Sequence, residues 1–294
     1  MVRRNRTLAD AGTLVLAASI LFTGALTSVA AVPTHAASSV ATAQSKPWKN
    51  PDVSYVALGD SYAAGQGAGS YENACMQSSL SYPERLDDIK HVKLIADASC
   101  SGATTRDVLV QQLSVVRKNK NIGLVTVTVG ANDLGGTGVV AACAASISSP
   151  ECRAALDAAY ALMTPQSSTV PSRLALRLTA ALGTVAATAP RAKILVTGYP
   201  YLFETPPATD PNYAAIAEIT KATAALNTTI ASVAQRLARV GVDIRYVDVT
   251  AAFAGHGIGS PDPWINAAGS DAFHPNAAGY LAYAKALQPA LLRR

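Results

Sequence analysis

The 294-residue sequence contains no apolar run of the roughly 20 residues that a membrane-spanning helix requires. It contains no Lys/Arg-rich run, and no aromatic residues alternate with basic ones in its predicted strands, which argues against nucleic acid as a partner. There is no Cys-x-x-Cys and no histidine beside any cysteine, so zinc binding has no support and no metal or cofactor is expected. Neither an internal repeat nor a second linker is visible, so the chain reads as one large domain.

What is present begins at the amino terminus. Arg3, Arg4 and Arg6 precede an apolar stretch from about Ala11 to Leu26, followed by small-residue cleavage sites at Ser28-Val29-Ala30 and Thr34-His35-Ala36. This pattern predicts a secretory signal peptide over residues 1–36 and an extracellular protein with no stable membrane anchor. The Ser, Ala, Thr and Pro-rich residues 37–51 have no apolar period and are expected to form a flexible mature N-terminus ahead of a catalytic domain at 52–294. Cleavage would remove three of the 24 basic residues and one of the 19 acidic ones, leaving 21 against 18 and a mild net charge of +3.

Four cysteines in an exported chain are most simply two disulfides. Three connectivities are possible, and sequence order favours Cys75 with Cys100 and Cys143 with Cys152, because each pair then closes a local loop.

Short apolar runs rich in β-formers at Val53–Leu58, Ile122–Val129, Lys193–Thr197 and Ile244–Val247, with a weaker one at Val92–Ala96, predict about five buried parallel strands. Helical patterns fall between them at Tyr82–Ile89, Thr105–Lys118, around Ala154–Thr164, Ser172–Thr188, Tyr213–Val240 and Asn276–Leu292. The alternation implies an α/β three-layer sandwich whose ligands bind beyond the carboxyl ends of the strands.

Four short segments stand out, Gly59-Asp60-Ser61, Ser101-Gly102-Ala103, Gly130-Ala131-Asn132-Asp133 and Asp271-Ala272-Phe273-His274; Ser61, Gly102 and Asn132 fall just beyond predicted strand ends, and the last segment opens the final helix. A serine hydroxyl is a poor nucleophile without a base in hydrogen-bond reach, so Ser61 needs a histidine. His35 falls in the expected leader, His91 reads as a solvated edge residue, and His256 lies in a loop as a rival base. His274 is preferred because Asp271, three residues earlier, can fold back to fix its tautomer. Acyl transfer also requires donors where negative charge develops, and the candidates are the Ser61 and Gly102 amides and the Asn132 side chain. Each segment alone has a plainer reading: Ser61 as a helix cap, Asn132 as a turn residue, Asp271 and His274 as a turn ahead of the last helix.

From about Asp52 to the carboxyl terminus, the four blocks in this order resemble the SGNH hydrolases, also called GDSL lipases and esterases. The resemblance implies a flavodoxin-like α/β fold, Ser61 as nucleophile, Gly102 and Asn132 as oxyanion donors, His274 as base and Asp271 completing a triad, with Asp60 shaping the nucleophile turn. Cys75 and Cys100 bracket the first two blocks much as cysteines do in secreted bacterial lipases and esterases. Those proteins commonly carry a third disulfide in the late loop, where this chain has Gly259, so a more mobile loop over about 254–269 is expected, with Trp264 and Ile265 as candidates to line an acyl pocket. The implied activity is serine-dependent hydrolysis of small-molecule or lipid acyl esters, and the protein is expected to be a monomer. Carbohydrate deacetylation, phospholipase action, acyl transfer to another alcohol and a binding protein with a dead site remain as alternatives.

Overall fold

The computed structural model describes residues 52–146 and 149–292, so the expected signal peptide and the expected flexible segment lie outside the described residues, as does His35. Strands β1 (Val53–Gly59), β2 (Val92–Asp97), β3 (Leu124–Thr128), β4 (Lys193–Thr197) and β5 (Ile244–Val247) form one parallel sheet in the order β2-β1-β3-β4-β5. β1 and β3 are almost wholly buried, as continuous apolar runs in a parallel sheet must be when helices cover both faces. The chain turns from β1 outward to β2 and then returns to the other side of β1 as β3. The carboxyl ends of β1 and β3 therefore flank a topological switch point, where a crevice opens between the connections that leave the two strands.

The helices are α1 (Ser61–Ala64), α2 (Tyr82–Asp87), α3 (Thr105–Asp107), α4 (Leu113–Lys118), α5 (Gly136–Ala145), α6 (Pro150–Met163), α7 (Arg173–Thr188), α8 (Tyr213–Arg239) and α9 (Ala277–Leu292). Several starts follow from local chemistry. The Ser149 hydroxyl accepts from the Cys152 amide at 3.0 Å with Pro150 at the first helical position, and the Ser172 hydroxyl accepts from Ala175 at 3.2 Å.

The helix expected over Thr105–Lys118 is interrupted by a π-helical segment, Val108–Gln112. There Gln112 is buried, and its side chain pairs with both backbone groups of Gly59, accepting from the amide and donating to the carbonyl at 2.8 Å each. Gly59 itself has φ 130°, and a Cβ there would stand 2.2 Å from the Thr128 carbonyl oxygen, so only glycine lets β1 end this close to β3.

Hydroxyls inside the core are paired with one another. Tyr55 meets Thr126 at 2.7 Å, Tyr82 meets Thr128 at 2.9 Å, Thr128 meets Thr197 at 2.7 Å, and Tyr283 donates to the Gly198 carbonyl at 2.6 Å. Burying hydroxyls is tolerable because each has a partner. The disulfides join Cys75 to Cys100 and Cys143 to Cys152, the pairing that sequence order favours. Among the described residues no helix is long and apolar enough to cross a membrane.

Candidate active site

Ser61 follows β1 at the first position of α1. Asp60 caps that helix: one carboxylate oxygen accepts from the Tyr62 amide at 3.0 Å and the other from the Tyr199 hydroxyl at 2.5 Å. Burial of Asp60 pushes its pKa from 3.8 up to about 7, although both hydrogen bonds oppose the shift. The Tyr199 hydroxyl also accepts from the Ala131 amide at 3.2 Å, so one phenol joins the turn that carries Ser61 to the turn that carries Asn132. Asn227 of α8 holds Tyr199 in place, accepting from its amide and donating to its carbonyl at 2.8 Å each.

His274 arrives from the other end of the chain and brings its Nε2 to 2.8 Å from the Ser61 hydroxyl oxygen. The ring is buried, and burial holds its pKa below the usual 6.5, against the opposing pull of the Ala272 and Asp271 carbonyls and the Asp271 charge. The imidazole is therefore neutral at neutral pH, the state in which it can accept a proton. Its backbone is fixed by Asn266, whose amide and side chain both donate to the His274 carbonyl, at 2.9 and 3.1 Å. The preceding residue, Phe273, sits in the left-handed region at φ 67°, an unfavourable conformation for a bulky side chain. Tyr62 holds it there by donating to the Phe273 carbonyl at 2.6 Å.

The orienting contact differs from the sequence expectation. His274 Nδ1 lies 2.9 Å from the carbonyl oxygen of Ala272, and no hydrogen bond joins it to the Asp271 carboxylate. Asp271 faces the Tyr71 hydroxyl instead, and its Oδ1 is buried without a hydrogen-bond partner. A carbonyl two residues before the histidine can reach back to Nδ1 through a tight turn, which leaves the Asp271 side chain near enough to act through its charge only.

The other sequence candidates converge to different degrees. Asn132 lines the same cavity as Ser61 and His274, and its side-chain amide donates to the Ala103 carbonyl at 3.0 Å, which ties the Asn132 turn to the Gly102 turn. Gly102 is exposed at φ 80°, with nothing within 4 Å of where a Cβ would stand, and it borders an adjoining cleft near Cys75, Cys100 and Gln112. Gln66, which the sequence reading passed over, accepts from the Ser101 hydroxyl at 2.6 Å and donates to the Ser270 carbonyl at 3.1 Å, joining the second block to the residue just before the fourth.

His256 is not the base: its ring stacks on Trp264 with centroids 3.4 Å apart, and its Nδ1 lies 2.8 Å from the Asp262 carbonyl. Trp264 and Ile265 do not line the cavity at Ser61; Trp264 is engaged with His256 and Ile265 is buried in the core. The late loop, which lacks a cysteine, is pinned through that stack and through the Ile258 amide, which donates to Leu202 at 2.8 Å.

The cavity beside Ser61 measures about 110 Å³, with Ser61, Asn132 and His274 on one side and apolar residues of α5, α6 and α8 around the rest. A nucleophile paired with a neutral base at the mouth of an apolar cavity suits attack on the carbonyl of an acyl compound.

Comparisons with known proteins point the same way. Residues 57–282 match the GDSL-like lipase/acylhydrolase family. Lipase 1 of Streptomyces coelicolor is 32% identical over 290 residues, 95% of each chain. The crystal structure of the extracellular lipase from Streptomyces rimosus superposes with a TM-score of 0.70 at 31% identity, covering 81% of this chain and 99% of that one. Phospholipase A1 from Streptomyces albidoflavus gives the same TM-score and coverage at 32% identity. With most of its length matched and its sheet of the same architecture, the chain belongs to the GDSL-like lipase/acylhydrolase family and is a carboxylic ester hydrolase.

Proposed function

We propose that the protein is an exported serine hydrolase that cleaves acyl esters through an acyl-enzyme intermediate at Ser61. The observation that carries this reading is the 2.8 Å contact between His274 Nε2 and the Ser61 hydroxyl, in a ring held neutral by burial. In the first half-reaction the Ser61 oxygen attacks the ester carbonyl while its proton passes to Nε2. The resulting imidazolium is stabilised through Nδ1–H by the Ala272 carbonyl, with the Asp271 charge assisting from a distance.

The tetrahedral oxyanion rests on the Ser61 amide, the Gly102 amide and the Asn132 side chain. Support comes from the Ser61 amide, which as the first of a helix is left for an outside acceptor, from the open space above Gly102, and from Asn132 sharing the cavity with Ser61. Collapse of the intermediate expels the alcohol, which takes its proton from Nε2. Water, deprotonated by the same imidazole, then attacks the acyl carbonyl and regenerates Ser61.

An acyl lipid or small ester suits the apolar cavity, and the similarity to a phospholipase A1 and to an extracellular lipase supports lipid esters as the substrate class. Export by way of a cleaved leader at residues 1–36, ahead of a catalytic domain at 52–294, accords with two disulfides in the described chain. The test is hydrolysis of p-nitrophenyl esters from acetate to palmitate by the purified protein with Ser61→Ala alongside. Activity that vanishes in the variant is the expected result, and activity that survives refutes the role of Ser61.

A further inference from the structure

The acyl cavity has two kinds of wall. On the side of the strand ends stand Ser61, Asn132 and His274, each fixed by hydrogen bonds to other parts of the molecule. Apolar lining comes from α5, α6 and α8, with Val139 and Val140 from the first helix and Ala159 and Met163 from the second. α6 packs on α5, α7 and α8 and also touches the Asn132–Leu134 turn, so Ala159 and Met163 sit on a helix held mainly by other helices.

The sequence spacing shows what sets the position of that wall. Cys143 follows Val140 and Val139 by three and four residues, so all three project from one face of α5. On α6, Cys152, Leu156, Ala159 and Met163 are spaced four, three and four residues apart and form one buried stripe. The disulfide between Cys143 and Cys152 therefore lies on the seam that, two to three turns further along α6, becomes the cavity wall. Gly136 and Gly138 give the first turn of α5 little helical preference of its own, which increases its dependence on an external tether.

We infer that the Cys143–Cys152 disulfide is a determinant of acyl-chain selectivity: it fixes α6 against α5 where both line the cavity, with Ala159 and Met163 as the stop that a substrate acyl chain meets. This inference rests on the reading above in which Ser61 is the nucleophile and the acyl group enters this cavity. Narrowing the stop penalises longer chains; releasing or trimming it favours them.

The test measures kcat/KM of the full-length oxidised protein for p-nitrophenyl butyrate and octanoate and reads the octanoate-to-butyrate ratio. Ala159→Leu, which adds hydrocarbon at the stop, is expected to lower the ratio on the order of tenfold. Met163→Ala, and Cys143→Ala combined with Cys152→Ala, are expected to raise it by roughly threefold or more. Should the double cysteine variant fail to fold by circular dichroism, Cys143→Val with Cys152→Ala refills the sulfur volume with hydrocarbon while still removing the tether. A ratio that stays within about twofold of wild type in the cysteine variant or in Ala159→Leu, with hydrolysis still dependent on Ser61, overturns the inference alone. Hydrolysis that persists in Ser61→Ala overturns the reading beneath it instead.

Discussion

The turn that carries Ser61 and the α5–α6 hairpin line one cavity and are built in opposite ways. The turn is fixed by polar contacts from distant parts of the chain: Gln112 on Gly59, Tyr199 on Asp60, and His274 on Ser61. The hairpin's described contacts are dominated by apolar packing, with the Ser149 cap and the Cys143–Cys152 disulfide among them. Hydrogen bonds are directional and hold atoms to the tolerance that bond-making requires, whereas apolar packing defines a volume. In the proposed reaction the first kind of contact would align Ser61 with His274 and the second would receive the acyl chain.

The sharpest way to break the polar side is at the oxyanion. Asn132→Ala is expected to lower kcat by on the order of 10²–10³ with little change in the folded structure, measured on a short p-nitrophenyl ester. Less severe is Tyr199→Phe, which keeps the ring but leaves the Ala131 amide without its acceptor and Asp60 without one donor. It is expected to destabilise the protein by about 1–3 kcal/mol in denaturant unfolding, and to lower kcat more than it changes KM. An equal loss in a variant of the α5–α6 hairpin would erase the distinction between the two sides.

Asp271→Asn separates an orienting carboxylate from a remote charge. Loss of a true triad carboxylate costs roughly 10⁴ in kcat; with the Ala272 carbonyl on Nδ1, the expected loss at pH 8 is under about tenfold. Because the Asp271 charge raises the His274 pKa, its removal should also move the acid limb of kcat/KM to lower pH. In the unaltered protein that limb should already fall below 6.5, since burial depresses the imidazolium and activity is lost only once the ring takes up a proton.

The smallest effect lies outside both regions, at the edge of the sheet. Burial of Asp97 raises its pKa from 3.8 to about 7, while one of its oxygens, Oδ1, accepts from both the amide and the hydroxyl of Ser99. The folded state thus holds the proton more tightly than the unfolded one, a contribution to stability that is full below about pH 4 and lost as pH rises toward 7. Asn at this position keeps both hydrogen bonds through its own oxygen and carries no charge to desolvate. Asp97→Asn should raise Tm at pH 8 by roughly 2–4 °C, gain little at pH 4, and leave ester hydrolysis unaltered at both.

Much of this was legible in the residues. β4 and β5 fall at the residues that their apolar runs predict, and the helix over Arg173–Thr188 departs from its pattern by one residue. α5 was not legible, because its Gly136-Thr137-Gly138 start has poor helical propensity and its residues show no apolar stripe; packing on α6 and α8 overrides both. The interruption at Val108–Gln112 was equally hidden, since it answers to the backbone of Gly59, 53 residues away. Within the site, Ser61, His274 and Asn132 carry side-chain chemistry that a sequence displays. Tyr199 and Gln66 carry none that marks them, and their roles come from where the fold puts them. The contact on His274 Nδ1 could not be read from side chains, because the atom that makes it belongs to the main chain.

That last feature bears on how such a site drifts over generations. A carboxylate partner is lost by a single base change in its codon, and it becomes a different partner when it takes up a proton. The Ala272 carbonyl is a peptide oxygen present whichever residue is encoded there, with no charge to gain or lose in acid. What must be inherited is the path of the turn, and that is kept by Tyr62 and Asn266 from outside it. The contact on Nδ1 therefore does not depend on which side chain stands at position 272, while the Asp271 charge still bears on the His274 ring.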